Sequence, residues 1–308
     1  MKKIFLIFFI FFLFLLFFLN LFLFKIFFPK KIENKIVEIK IGDSSKLISE
    51  KLEKERIIKN KFLFLMLVNY LKYQNRLQPG KYEFNGYFNL LDIIKKIVKG
   101  ERIKNNITIK EGWTRKDIAN LLEERGFFSK NEFLEKTKEK EGYLFPDTYE
   151  ILPGESLDNF LFKIEKNFEK KVGSIKKELG DQKFKETLIL ASILEKEVKK
   201  KDDKEIVAGI LLKRLKNNWY LQADATIGYI LDKKEITPED LKIDSPYNTY
   251  KYKGLPPTPI SNPGLESILA VLYHKDTDYW YYLSLPDGTT IYNKTLEEHN
   301  LAIKKYLK

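Results

Sequence analysis

The spacing of hydrophobic and polar positions changes several times along the chain, and each change marks an element. The chain opens on Ile4 to Phe24, which is uncharged and apolar apart from Asn20. Lys2 and Lys3 precede it, and Lys25, Lys30 and Lys31 follow. At ~1.5 Å per helical residue this run crosses a ~30 Å hydrocarbon layer. It consists of Phe, Leu and Ile, and no small-residue cleavage site follows it, which argues for a retained anchor rather than a removed signal. The expectation is a single N-terminal transmembrane helix within residues 1–29, with a short cytoplasmic tail. Lysines flank both sides, so the orientation rests on that short tail. The bulk of the chain is then expected on the extracytoplasmic side of the cell (inner) membrane.

From Lys35 to Ile41 the pattern alternates, with Ile36, Val37, Ile39 and Ile41, as in a strand. Asp43 or Ser44 then caps a predicted helix carrying Leu47, Ile48 and Leu52. A second helix is predicted from Lys61 to Leu71. The stretch Leu77 to Phe84 reads as a turn and a strand. Asn89 starts a third helix with Leu90, Leu91, Ile94, Ile97 and Val98 at helical spacing, closed by Gly100. Strand, helix, helix, strand and helix thus complete a small unit within Ile36 to Gly100.

A strand at Asn106 to Lys110 and a helix through Ile118, Leu121 and Leu122 echo the start of that unit. Longer helices are predicted at Leu157 to Leu179, Lys183 to Lys200 and Lys204 to Asn217. The Pro-rich stretch Asp244 to Gly264 reads as irregular. Two aromatic strands, Tyr279 to Ser284 and Thr289 to Asn293, form a hairpin over Pro286-Asp287-Gly288. A last helix starts near Thr295, with Glu298 completing its capping box. The whole is an α+β chain, its domains expected at 1–29, 30–104 and 105–308.

Composition narrows the chemistry. The chain has 308 residues, no Cys and two His, His274 and His299. Disulfides, thiolate zinc sites, cysteine nucleophiles and multi-histidine metal sites are therefore not expected. No metal or cofactor is called for, and catalysis falls to carboxylates, hydroxyls, amides and Lys/Arg. Lys+Arg 55 against Asp+Glu 43 leaves a net charge of +12, which suits polyanions such as anionic headgroups or acidic wall polymers. Lys and Glu alternate along the chain, as on a solvated surface, and no nucleic-acid-binding motif is present.

The segment Thr187 to Val198 is apolar on nearly every face, as in a helix buried inside a domain. Two carboxylates, Glu195 and Glu197, end it. A Glu drawn into such surroundings has its pKa raised, which a general acid requires. The competing reading pairs both with Lys196, Lys199 or Lys200 at an exposed helix end. Spacing does not choose between the two glutamates, since both border the apolar arc. Gln222-Ala223-Asp224-Ala225-Thr226, Ser245 to Tyr250 and Gly254 to Pro257 mix amides, hydroxyls and rings. That mixture suits either a sugar site or a structural aromatic loop.

Taken in order, several segments resemble the YceG-like family of endolytic murein transglycosylases. They are the N-terminal anchor, Glu141 to Tyr149 (EGYLFPDTY), LASILEKEV, LQADATIGY, SPYNTYKYKGLPPTPISNPG and the C-terminal EEHN. The resemblance runs from about residue 30 to the C-terminus. It implies a LysM-like module at 30–104 and a mixed α+β catalytic domain at 105–308. It also implies a membrane-anchored lytic transglycosylase that cleaves the MurNAc–GlcNAc bond within nascent peptidoglycan strands and leaves 1,6-anhydro ends.

The catalytic Glu of that family falls on Glu195. Glu197, Gln222, Asp224, Thr226, Tyr247, Asn248, Thr249 and Tyr250 fall in its binding segments. Peptidoglycan strands, the cytoplasmic membrane and peptidoglycan synthases are the implied partners. Two departures stand out. Thr290 occupies a position where His is expected, and Thr258-Pro259-Ile260 replaces a G-P-I. The alternative reading is a non-catalytic, membrane-tethered protein that binds wall glycan.

Overall fold

The computed structural model describes residues 9–17, 20, 26–233 and 235–306. The apolar run assigned to a membrane span falls in good part outside them; its described residues, 9–17 and 20, are helical and exposed. Among the described residues no helix is long and apolar enough to cross a membrane. The chain folds as α+β, with many helices and three small two-stranded sheets. It divides into two compact units. One comprises the chain up to Asn106 together with Glu150–Ser156; the other comprises Ile107–Tyr149 and Leu157–Lys308.

In the first unit, strand β1 (Lys30–Ile39) precedes helices α1 (Ser45–Lys54) and α2 (Lys61–Tyr70), strand β2 (Gly80–Phe88) and helix α3 (Leu90–Lys99). β1 and β2 pair antiparallel, with Val37 opposite Tyr82 and a register shift between Ile32 and Lys35. β1 starts five residues before the alternation predicted, because pairing with Tyr87 and Phe88 extends it. Val37, Ile39, Tyr82 and Phe84 bury one face of this ribbon against Ile48, Leu52, Phe64, Val68, Ile94 and Ile97 of the helices. A two-stranded ribbon is marginal alone, so the three helices supply the core that holds it.

Each helix has a side-chain start signal. Ser44 accepts from Leu47 N at 3.3 Å, and Asn60 accepts from Leu63 N at 3.0 Å. Asn89 and Asp92 form a reciprocal capping box. The returning segment closes the unit: Arg102 Nε and Nη2 clamp Glu150 at 2.9 and 2.8 Å, and Ile41 N donates to Pro153 O at 3.0 Å.

The second unit begins with β3 (Asn106–Thr108), α4 (Arg115–Glu124), α5 (Lys130–Lys136) and β4 (Thr148–Glu150), with β3 paired to β4. Then come α6 (Leu157–Leu179), α7 (Asp181–Glu197), α8 (Lys201–Lys216), α9 (Asp224–Leu231), a 3-10 turn at Asp240–Lys242, α10 (Leu265–Leu272), the hairpin β5 (Tyr281–Ser284) and β6 (Thr290–Asn293), and α11 (Leu296–Tyr306).

α7 is the axis of this unit. Phe184 and Leu188 to Leu194 are buried in an unbroken run, because α6, α8, α9 and α10 cover it on several sides. A helix apolar all round is stable only when enclosed in this way. The short elements α5, α9, α10 and β4 have no counterpart in the sequence reading. At three to eight residues they are too brief for periodicity to declare, and their packing against neighbours forms them.

Candidate functional site

α7 ends at Glu197, and Val198 is already extended. Glu195 and Glu197 stand two residues apart, about 200° around the helix, so they face different surroundings. Glu195 turns inward. Its Oε1 lies 3.0 Å from Lys204 Nζ, the two side chains being 8% and 3% exposed. Its Oε2 accepts from Gly264 N at 2.9 Å and Ser267 Oγ at 2.7 Å. Its hydrogen-bond partners come from α8 and the start of α10, and the Glu111–Gly112 segment lies beside it. A Cβ at Gly264 would lie 1.9 Å from Glu111 Oε1, so a side chain there would displace the end of Glu111.

Glu197 turns toward a cleft of about 1090 Å³. Ala225 N, in the first turn of α9, donates to Oε1 at 3.1 Å, and the Tyr282 hydroxyl of β5 donates to Oε2 at 3.3 Å. Ser284 Oγ donates to the Glu197 carbonyl at 2.8 Å. Burial pushes the Glu197 carboxyl up from 4.5 to about 7, against the bonds from Ala225 and Tyr282 and with the help of the nearby Asp224 charge.

Glu141, in the loop between α5 and β4 and nearly enclosed, lines the same cleft. Arg115 N, the first N–H of α4, donates to it at 3.1 Å, Asn262 Nδ2 at 3.2 Å and the Tyr229 hydroxyl at 3.4 Å. Burial raises Glu141 to about 7, although the Arg115 backbone and guanidinium pull the other way. Gly142, at φ 87°, makes the turn that presents it. A Cβ there would meet Pro259 Cγ at 2.5 Å. Asn262 ties the loops together by donating to Trp113 O and accepting from Leu144 N, both at 2.9 Å.

Comparison with known proteins bears on this arrangement. The YceG-like family pattern matches residues 37–305. The chain belongs to the YceG-like family. It is 33% identical to the endolytic murein transglycosylase of Bacillus subtilis, over 88% of this chain and 84% of that one. It is 28% identical to the Streptococcus pneumoniae protein of the same name, over 88% of this chain and 58% of that one. The crystal structure of a YceG-like protein from Listeria monocytogenes superposes with a TM-score of 0.60 at 32% identity, covering 87% of this chain and 98% of the other.

Within this YceG-like unit the residues expected at the site other than Glu195 fall into four groups. Glu197, Asp224 and Tyr247 line the cleft. Tyr250 stands behind, its hydroxyl 2.5 Å from Asp224 Oδ1. Thr226, Asn248 and Thr249 are buried and bonded internally. Thr226 Oγ1 donates to Ala223 O at 2.8 Å, Thr249 Oγ1 accepts from Ala223 N at 3.0 Å, and Asn248 Nδ2 holds Leu241 O and Ile243 O at 2.9 and 2.8 Å. They shape the loop under the cleft. Gln222 is exposed outside the lining, at φ 52°, and its N–H donates to Thr249 O. Thr290 pairs with Ser284, so the position expected to be His lies one strand from the Glu197 backbone.

Glu141, Arg115, Tyr229 and Tyr282 received no role from the sequence. Two of them had a signal, Glu141 as the first residue of EGYLFPDTY and Tyr229 as the last of LQADATIGY. Among the described residues no cluster of His, Asp and Glu could hold a metal ion.

Proposed function

We propose that this protein is a peptidoglycan lytic transglycosylase in which Glu197, rather than Glu195, is the acid and then the base. The observation that carries this is the Glu197 carboxyl, half-buried at the end of α7, lining the cleft and raised to about 7. Membership of a family whose relatives are named endolytic murein transglycosylase supports the substrate class. In this reading Glu195 is a positioning carboxyl, which accepts from Lys204, Gly264 and Ser267.

In this reading protonated Glu197 gives its proton to the oxygen joining MurNAc C1 to the next GlcNAc, and that C1–O bond breaks. The carboxylate so formed takes the proton of the MurNAc 6-hydroxyl while O6 bonds to C1. The products are a GlcNAc 4-hydroxyl and a 1,6-anhydro end; water is neither added nor lost. The nucleophile belongs to the substrate, so holding the sugar in a reactive pose supplies much of the rate. Asp224 and Tyr247 are placed to hold sugar hydroxyls and a ring face, and Tyr282 and Ala225 N steady the carboxylate between steps. Glu141 is a second raised carboxyl lining the same cleft.

The first unit is read as a LysM-like glycan-binding module on its strand, helix, helix, strand order. The apolar run Ile4 to Phe24 is read as the anchor, with the bulk of the chain outside the cytoplasmic membrane. A C-terminal reporter active only in the cytoplasm overturns that topology.

The enzymatic test is mass spectrometry of murein digested with the wild type, Glu197→Gln and Glu195→Gln. Anhydro-MurNAc ends are expected from the wild type, and none above background from folded Glu197→Gln. Hydrated reducing ends as the sole product, or full activity in Glu197→Gln, overturn the reading.

A further inference from the structure

Helix α2 is apolar on both of its faces. Phe64, Leu67 and Val68 fill the core of the first unit, while Phe62, Met66 and Tyr70 lie on the opposite side, 73%, 43% and 82% exposed. These three stand four residues apart and form one stripe along the helix. A soluble helix ordinarily turns polar residues outward; here that face carries two rings, a thioether and a single amide, Asn69, and α2 has no acidic residue.

The surroundings say what covers the stripe. Exposed Lys59 stands before α2, and exposed Lys72 and Arg76 follow it. The apolar N-terminal run enters this unit at Ile26, which is buried in the same core as Phe64 and Val68. A few residues on, Lys30 Nζ lies 3.5 Å from Arg56 O, in the connection that leads into α2. Phe27, beside Ile26, is exposed. The chain therefore enters the unit, just after the anchor, beside the connection that leads into α2. Aromatic rings flanked by cations are the composition of a face that lies in a bilayer interface.

We propose that the α2 stripe of Phe62, Met66 and Tyr70 docks into the headgroup layer of an anionic bilayer and holds the first unit against the membrane. This rests on the reading of Ile4 to Phe24 as an anchor, and deepens it: the unit would lie on the lipid rather than hang free from one helix. The rings enter the acyl boundary while Lys59, Lys72 and Arg76 meet lipid phosphates.

The chain contains no Cys, so one introduced thiol takes one nitroxide. The test uses the full chain in vesicles of mixed zwitterionic and anionic phospholipid, with the label at Met66→Cys or at Asn85→Cys. Asn85 is exposed on β2, where alternation turns it away from the core that α2 covers. Position 66 is expected to be several-fold more accessible to oxygen, and several-fold less to a water-soluble relaxant, than position 85. Replacing the anionic lipid is expected to shrink that difference. Equal exposure at both positions in vesicle-bound protein overturns the docking. So does a label shielded only when glycan strands are added, which would make the stripe a sugar site. Protein that fails to float with the vesicles at all overturns the anchor instead, a separate and visible failure.

Discussion

Lys204 Nζ and Glu195 Oε1 meet at 3.0 Å in the interior of the second unit, both side chains almost wholly enclosed. The pair joins the last turn of α7 to the first turn of α8, and through Gly264 and Ser267 to α10. Removing one partner leaves the other charge buried and uncompensated. Glu195→Gln and Lys204→Met are each expected to lower unfolding stability by about 3–5 kcal/mol. In a double-mutant cycle by urea denaturation, the two losses should not add. Additive effects would show that the pair contributes no coupling.

Glu197→Gln has a different signature. It removes the titrating proton from the cleft while keeping size and hydrogen-bonding capacity. Turnover should fall by about 10²–10⁴ with the fold intact by circular dichroism. In the wild type, activity is expected to decline as pH rises through about 7, where the acid form disappears. The residual activity of the variant should lack that alkaline limb.

Two neighbours of Glu197 should move the limb in opposite directions. The Tyr282 hydroxyl stabilises the carboxylate, so Tyr282→Phe is expected to raise the Glu197 pKa and carry the limb to higher pH. The Asp224 charge opposes ionisation, so Asp224→Asn is expected to lower the pKa and carry it to lower pH. Rate–pH profiles of both variants on one murein preparation decide the matter. Shifts of the same sign would remove Glu197 as the group that titrates.

Stability should also depend on pH with a defined sign. Glu141 and Glu197 hold folded values of about 7 against an ordinary 4.5. Below about 4.5 both states are protonated, and the contribution is fully present. Between 4.5 and 7 the unfolded chain gives up protons that the fold retains, so stability falls as pH rises, levelling off above 7. Each carboxyl accounts for a loss on the order of 3 kcal/mol. Urea midpoints at pH 5 and pH 8 should therefore differ, and Glu197→Gln should remove about half of the difference.

Elements whose ends carry their own chemistry were legible in the chain. Asn89 and Gly100 bound α3 because a side-chain cap and a left-handed glycine act within one turn. The span of α6, Leu157–Leu179, follows its apolar spacing, and the enclosed character of α7 follows from apolar residues on all its faces. Family-bearing segments such as LASILEKEV and SPYNTY could be read from the chain in the same way.

What the chain could not declare is which way each carboxyl turns. Glu195 and Glu197 both border the apolar arc of α7, and local periodicity treats them alike. Tertiary packing separates them. Lys204, nine residues on, closes over Glu195, while Ala225 N and the Tyr282 hydroxyl, 28 and 85 residues on, frame Glu197 at an open cleft. Glu141 lies farther still in sequence from Asn262 and Tyr229, which enclose it. Burial, and with it the proton affinity of a carboxyl, is set by neighbours that only the folded chain brings together.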